Sequence, residues 1–393
     1  MDFSLEPHHE EFLAEIREYL SHLERDLGFD LAATAEANDH SLTGEGRELI
    51  DKFIRQLGKD GWLGISCPKK FGGQDRTFLE QFLFLEELSS RSLPTGVLLI
   101  KSNIPALAKL APEQIREKFL PQCLSGEVSM CIGYSEPDAG SDLANLKTRA
   151  TPVEGGYRIN GQKIWTTAAN VSTHIWLATR TGTQESRHKG ITMFIVAMDT
   201  PGITITPIIT QAGERTNQVF FDNVFVPVEN RITEENEGWN LIMGQLAFER
   251  MFYPSGMMRG LHSFIHWWSQ NMPADVAERE YQLRELGRMA AEAEAIQLLA
   301  LRTAWMIDQN KVPATEASIL KLTLSATEQR NGLDQIRLAG AWGQLSHRDP
   351  DAPSFGRPVY DYLFTPATTF GAGANELQRD MIADFGLGLP RNR

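Results

Sequence analysis

Three short stretches of this chain carry residue types suited to chemistry on a flat or anionic ligand. The first is "CIGYSEPDAGSDLANL", Cys131 to Leu146, a strand end running into a turn that holds the hydroxyls of Ser135 and Ser141 and an accessible Gly140. Such a turn can aim several backbone N–H groups at an anion or at the edge of a planar ring. The second is "INGQKIWTTAAN", in which Trp165 follows an Asn-Gly pair, the signature of a tight hairpin, and precedes Thr166 and Thr167. A tryptophan at a strand end beside hydroxyls can stack on a heterocycle while a hydroxyl bonds the ring's edge. Taken singly, the first stretch also fits a plain surface turn and the second a half-buried strand aromatic. The third is "TTFGAGANELQRDMIADFGLGLP", Thr368 to Pro390, a glycine- and alanine-rich turn leading into an amphipathic helix. It is built for close approach by a ligand, yet it holds no acid or base before Glu376.

The elements that must position these stretches fall into three regions. Residues 1–126 have helical spacing: Leu49, Ile50, Phe53, Ile54 and Leu57 form one apolar stripe, and Phe78, Leu79, Phe82 and Leu83 another. Residues 127–234 turn β-like, with "YRINGQKIWTT", "THIWLATRT", "GITMFIVAM", "GITITPIIT" and "QVFFDNVFVP" rich in β-branched and aromatic residues. In residues 235–393 helices return, including a long one with apolar positions at Leu283, Leu286, Ala290, Ala293 and Ile296.

A chain of 393 residues exceeds one simple core. Its 42% hydrophobic and 23% charged content is that of a soluble globular protein, and no apolar run reaches the length of a membrane span. The acidic start "MDFSLEPHHEEFLAEIREYL" is unlike a secretory signal, so a cytoplasmic location is expected. Cys67, Cys123 and Cys131 lack metal-ligand spacing and suit a reducing interior; no metal is expected. The net charge of −13 argues against nucleic acid as a partner, but leaves room for an anionic cofactor held by backbone N–H groups.

In order and spacing, "SEPDAGSD", "GQKIWTT", "FDNVFVP", "FER" and "ELQRDMIA" resemble the acyl-CoA dehydrogenase family, and "GWLGISCPKKFGG" extends the resemblance over nearly the whole chain. The resemblance implies an α+β fold: an N-terminal helical domain, a central β-barrel-like domain and a C-terminal four-helix bundle. It also implies FAD, bound between the β-domain and the bundle. Carried over by residue, Ile132, Tyr134 and Ser135 would line the flavin edge through backbone and hydroxyl contacts. Gly140 and Ser141 would lie near the pyrophosphate or thioester, Trp165 against the isoalloxazine, and Thr167 on the N5 edge.

The implied reaction removes an α-proton from a thioester as the β-hydride leaves. The α-carbon is a weak acid, so the enolate oxygen must be stabilised; the family uses a backbone N–H together with a ribityl hydroxyl of FAD. It also needs a carboxylate base desolvated enough for its pKa to approach working pH. In many relatives that base is the glutamate before the glycine of a "GTSEIQR"-like run; here "AGANELQR" puts Ala372 there, able to offer its N–H but not to accept a proton. Glu376 falls instead at the helix start, where it is expected to help cap the helix. Other members carry the base on a C-terminal-domain helix just before an arginine, and "LAFERMF" makes Glu249 the candidate. Neighbouring helical residues diverge by about 100°, leaving Arg250 for other work. The competing reading is that "FER" is a solvated helix face.

The chain also departs from the family pattern. "WWSQNMPADVAEREYQL" stands where relatives have an "RxQFG"-like FAD-contact segment. Arg337 takes the usual glutamine position ahead of Gly340 in "RLAGAWG", as a charged pyrophosphate donor, and Ala374 replaces a threonine. Bacterial relatives with this shortened segment and a "LGLPR"-like end form mixed assemblies in which not every subunit holds flavin. The expected partners are an acyl-CoA substrate, an electron-transfer flavoprotein and a homo- or hetero-oligomer, dimer or tetramer. Competing functions are a flavin-poor partner subunit and a dehydrogenase of acyl-carrier-protein thioesters. "FYPSGMMRG" and the small Ala372 point to a roomy pocket for branched or ring-bearing acyl groups.

Overall fold

A computed structural model of the chain describes residues 5–28, 45–91, 93–94, 102–252, 257–309, 311, 313–346, 349 and 351–390. The chain divides into two compact units: residues 1–35, 77–95 and 249–393 form the first, and residues 36–76 and 96–248 the second.

In the first unit, α1 (Pro7–Leu27) packs on α3 (Phe78–Ser90), burying Phe12, Ile16 and Leu20 at three- to four-residue spacing. Helix α3 starts with a capping box, Thr77 accepting from the Glu80 N–H while Glu80 accepts from Thr77 N. Two further N–H groups at that start, those of Phe78 and Leu79, donate to the Asp308 carboxylate at 2.7 and 3.0 Å. Asp308 ends α8 (Val276–Asp308), the long helix expected from the sequence. Its buried stripe is Gln282, Leu286, Met289, Ala293, Ile296 and Ala300. Leu283, expected on that stripe, is 50% exposed instead; Gln282 takes the inward place because it can accept a hydrogen bond from Trp268 Nε1. Helix α7 (Met257–Gln270) packs on α8, and α9 (Ala314–Ala339) packs on α8 and on α10 (Arg357–Thr368). Gly332 permits the close α9–α10 approach: a Cβ there would lie 3.1 Å from Tyr362 N. The chain then turns through residues 369–374 into α11 (Asn375–Met381) and a single π turn, Ile382–Gly386.

In the second unit, α2 (Glu45–Lys59), α4 (Asn103–Leu110) and α5 (Glu113–Leu124) accompany a seven-stranded sheet. The strands are β1 (Met130–Gly133), β2 (Arg149–Val153), β3 (Gly156–Lys163), β4 (His174–Arg180), β5 (Ile191–Ala197), β6 (Ile203–Ile209) and β7 (Arg215–Pro227). Their order is β1-β4-β2-β3-β7-β6, with β5 on β4. Inward residues of alternating parity, Tyr157 and Ile159, Ile175 and Leu177, Val219 and Phe221, form one core. Asn160-Gly161, read from sequence as a hairpin turn, lies inside β3. Opposite it, β7 carries a bulge in which Asp222 and Asn223 face Asn160, with Asn223 at φ 51° and its N–H on Asn160 Oδ1. Helix α6 (Gly238–Phe252) begins in this unit and its last turn belongs to the first.

Candidate active site

The second unit brings the first two chemical stretches together. Ile164 N donates to Ser135 O at 2.9 Å, so the end of β3 runs beside the turn that follows β1. A buried ion pair locks them: Lys163 Nζ lies 2.7 Å from Glu136 Oε1 and also donates to Tyr134 O at 3.0 Å. Glu136 further accepts from the backbone N–H groups of Lys147 and Thr148. Burial opposes the charge on Glu136, but the Lys163 ammonium and these donors outweigh it and hold the carboxyl below the usual range. Buried Arg180 donates to the carbonyls of Leu146 and Ala144, fixing the far end of the same turn.

Trp165 stands out on this surface. It is 59% exposed, at φ 59°, a left-handed conformation that is costly for an aromatic residue. Asn217 holds it there, its carbonyl accepting from Thr166 N and its side-chain amide donating to Thr166 O. Thr166 Oγ1 is buried with no partner among the described residues, and Thr167 is exposed beside it. An exposed indole on a strained but pinned backbone, beside threonine hydroxyls, fits a flat heterocycle with polar edges. Gly140 and Ser141 are exposed at the tip of the neighbouring turn, while Ile132 and Ser135 are half-buried behind it. The Tyr134 hydroxyl donates to Gln245 at 3.1 Å and accepts from Trp176 Nε1 at 2.9 Å, both partners lying inside the unit.

The first unit assembles the third stretch. Residues 369–375 form a closed turn: Thr369 O accepts from Asn375 N at 2.8 Å and from Lys321 Nζ at 3.0 Å. Asn375 Oδ1 accepts from Lys321 Nζ and from Ser325 Oγ, both at 2.8 Å. Lys321 is buried on α9; burial, then the Arg250 charge, pulls its pKa down to about 8. Ala372 sits at the crest with φ 52° and Gly373 at φ 97°. The buried Arg250 guanidinium donates from Nε and Nη2 to Ala372 O, at 3.2 and 3.1 Å. The Ala372 N–H has no acceptor among the described residues. Glu249, half-buried, precedes Arg250, and its charge offsets part of the burial that depresses the Arg250 pKa. Glu376 is exposed in the first turn of α11 and makes no side-chain cap.

Arg337 and Gly340 close α9: Gly340 N caps the Arg337 carbonyl, and the Arg337 side chain, 65% exposed, pairs with Asp334 at 3.2 Å. Residues 253–256 of "FYPSGMMRG" lie outside the described residues. All three cysteines are buried free thiols, with burial pushing Cys67 up to about 12, and no metal-ligating cluster occurs among the described residues. Glu136, Lys163, Asn217, Lys321 and Asn375 were not singled out from sequence. Lys163 had a signal: it shares the inward parity of Tyr157 and Ile159 on β3, where a lysine needs a buried partner.

Comparison with known proteins identifies the family. The acyl-CoA dehydrogenase N-terminal, middle and C-terminal domain models match residues 7–127, 131–224 and 236–387. The acyl-CoA dehydrogenase FadE26 of Mycobacterium tuberculosis is 34% identical over 100% of this chain and 99% of its own. The chain belongs to the acyl-CoA dehydrogenase family. It is accordingly an FAD-dependent enzyme with the family's α+β fold: helical N-terminal domain, β half-barrel middle domain and helical C-terminal domain. Among solved acyl-CoA dehydrogenases, the Tcur3481-Tcur3483 steroid ACAD matches with a TM-score of 0.89 at 33% identity, covering 100% of both chains. The ChsE4-ChsE5 complex from M. tuberculosis matches with a TM-score of 0.85 at 31% identity, again covering 100% of both.

Proposed function

We propose that this acyl-CoA dehydrogenase desaturates the α,β bond of an acyl-CoA thioester with Glu249 as the base. The observation that carries the reading is the Ala372 crest. A loop that presents an unpaired N–H and no acid or base needs its proton acceptor from elsewhere, and Glu249 is the half-buried carboxylate adjoining the arginine that holds that crest. In this scheme the Ala372 N–H donates to the thioester oxygen as negative charge develops on it, and Glu249 takes the α-proton. Ile132 and Ser135, with Gly140 and Ser141, offer backbone and hydroxyl donors to the cofactor; Trp165 supplies a stacking face and Thr167 an edge donor. Arg337, near Gly340, supplies a charged pyrophosphate donor. Bound FAD supplies the acceptor for the β-hydride. An electron-transfer flavoprotein would be the electron acceptor.

Relatives described as a steroid ACAD, together with the methyl at Ala372 in place of a longer side chain, support a bulky, ring-bearing acyl group. The two-chain relatives support a mixed assembly in which this chain is the catalytic member. Glu249→Gln should keep the fold and flavin but lose desaturation by about 10³-fold or more. It should also stop exchange of the substrate α-proton with deuterated solvent. Turnover within a few-fold of the parent enzyme would sink the assignment.

A further inference from the structure

Beneath the crest of the 369–375 loop lie two buried cations whose work the scheme above does not use. Arg250 places two N–H donors on one carbonyl oxygen, Ala372 O. Lys321 places its ammonium on Thr369 O and on Asn375 Oδ1, gripping both ends of the loop. The Arg250 charge acts on Lys321, and the opposite charges that act on the two cations are Glu249 for Arg250 and Glu376 for Lys321. Glu376 is 82% exposed and so heavily screened by solvent. A left-handed residue sends its own N–H and C=O in opposite directions along the chain. With its carbonyl drawn onto Arg250, Ala372 keeps its N–H, in the preceding peptide unit, without an acceptor among the described residues. Gly373 keeps the site tight, since a Cβ there would lie 2.7 Å from Gln378 Nε2 and 3.2 Å from Arg250 Nη2.

We infer that Arg250 and Lys321 are positioning residues that preorganise the Ala372 N–H as an oxyanion donor and hold positive charge behind it. This rests on the reading of Ala372 as the thioester-oxygen donor. A charged donor pair fixed on the Ala372 carbonyl holds the peptide unit that follows Ala372, and so limits rotation of the residue whose N–H, in the preceding unit, would meet the charge that builds on the ligand. Charge-assisted hydrogen bonds suit the task because they are about twice as strong as neutral ones.

The test uses a pair of unreactive ligands: the 3-thia analogue of an acyl-CoA that the enzyme oxidises, and the same molecule with a methylene in place of the carbonyl. Binding of both is measured by calorimetry on the flavin-loaded parent enzyme and on Arg250→Met, Arg250→Lys and Lys321→Met. The parent should prefer the carbonyl ligand by about 100-fold. Arg250→Met should erase most of that preference while leaving the carbonyl-free ligand bound as before, and Lys321→Met should reduce it by about 10-fold. Arg250→Lys, which keeps a cationic donor, should retain most of it, and a fall in kcat at little-changed KM should accompany each loss. A parent enzyme with no carbonyl preference would remove the Ala372 reading itself. A parent preference that survives intact in both Arg250→Met and Lys321→Met would leave that reading standing and overturn the positioning role.

Discussion

Glu328, on α9, carries a carboxyl with no assigned part in the chemistry. Its Oε2 is buried without a hydrogen-bond partner among the described residues, and burial, then Asp361, pushes its pKa up to about 8. Because the folded value lies above the unfolded one, the folded state binds the extra proton, and stability falls as pH rises from about 4.5 towards 8. The loss is on the order of 1 kcal/mol for each pH unit in that window. Glu328→Gln should therefore melt close to the parent at pH 5 and several degrees above it at pH 8. Parallel melting curves of parent and variant across that range would refute the assignment. None of this was legible in sequence: a glutamate at one position of a long helix reads as solvated face, and only the packing of α10 on α9 buries it. The same limit explains Leu283 and Gln282. Helical spacing names a stripe but leaves its edge undecided by one residue, and there Trp268 offers a donor that only the glutamine can use.

At the scale of elements, the surface proposed to face flavin depends on two loops that are distant in sequence and are joined by one buried charge pair. Removing one partner of such a pair costs more than the pair itself contributes, because the survivor is left charged and dry. Lys163→Met should thus destabilise the protein by about 3–5 kcal/mol. The double variant Lys163→Met, Glu136→Gln should recover part of that loss. Chemical denaturation measures the stability, and flavin retained through gel filtration reports whether the Ser135 turn and the Trp165 turn keep their alignment. A single variant within about 1 kcal/mol of the parent, with flavin retained, would remove the pair from this role. Here the sequence singled out the two loops and was silent about what joins them. "SEPDAGSD" and "GQKIWTT" were conspicuous for hydroxyls, glycine and tryptophan, whereas Glu136 and Lys163 are ordinary residues until the parallel pairing of β1 with β4, and the strand order β4-β2-β3, bring them within 2.7 Å. The Asn-Gly pair misled for a related reason. Its turn propensity is local, and the cross-strand partner that converts the place into a bulge, Asp222-Asn223, lies some sixty residues away.

Across the whole molecule, the order helices, strands, helices was readable from periodicity, but the grouping of elements into units was not. Residues 77–95 join the C-terminal segment because Asp308 satisfies the start of α3, a contact no local pattern announces. The larger consequence concerns assembly. Late in the chain, Trp342, Phe355, Phe370, Phe385 and Leu387 are each more than half exposed, at 53, 58, 65, 61 and 69%. So many large apolar side chains left open in one stretch are characteristic of a surface completed by another subunit. Arg337 at the usual glutamine position, with no "RxQFG"-like segment, suggests that the partner is a related chain rather than an identical one. Expressed alone, the chain should self-associate poorly and hold less than one flavin per polypeptide. Co-expressed with a second acyl-CoA dehydrogenase chain from the same genome neighbourhood, it should enter a mixed oligomer with one flavin per pair. Native mass spectrometry gives the composition and the visible flavin band gives the ratio. A stable assembly of this chain alone, with flavin in every subunit, would overturn the mixed assembly while leaving Glu249 as the base, because the crest at Ala372 and its two cations are built within one chain.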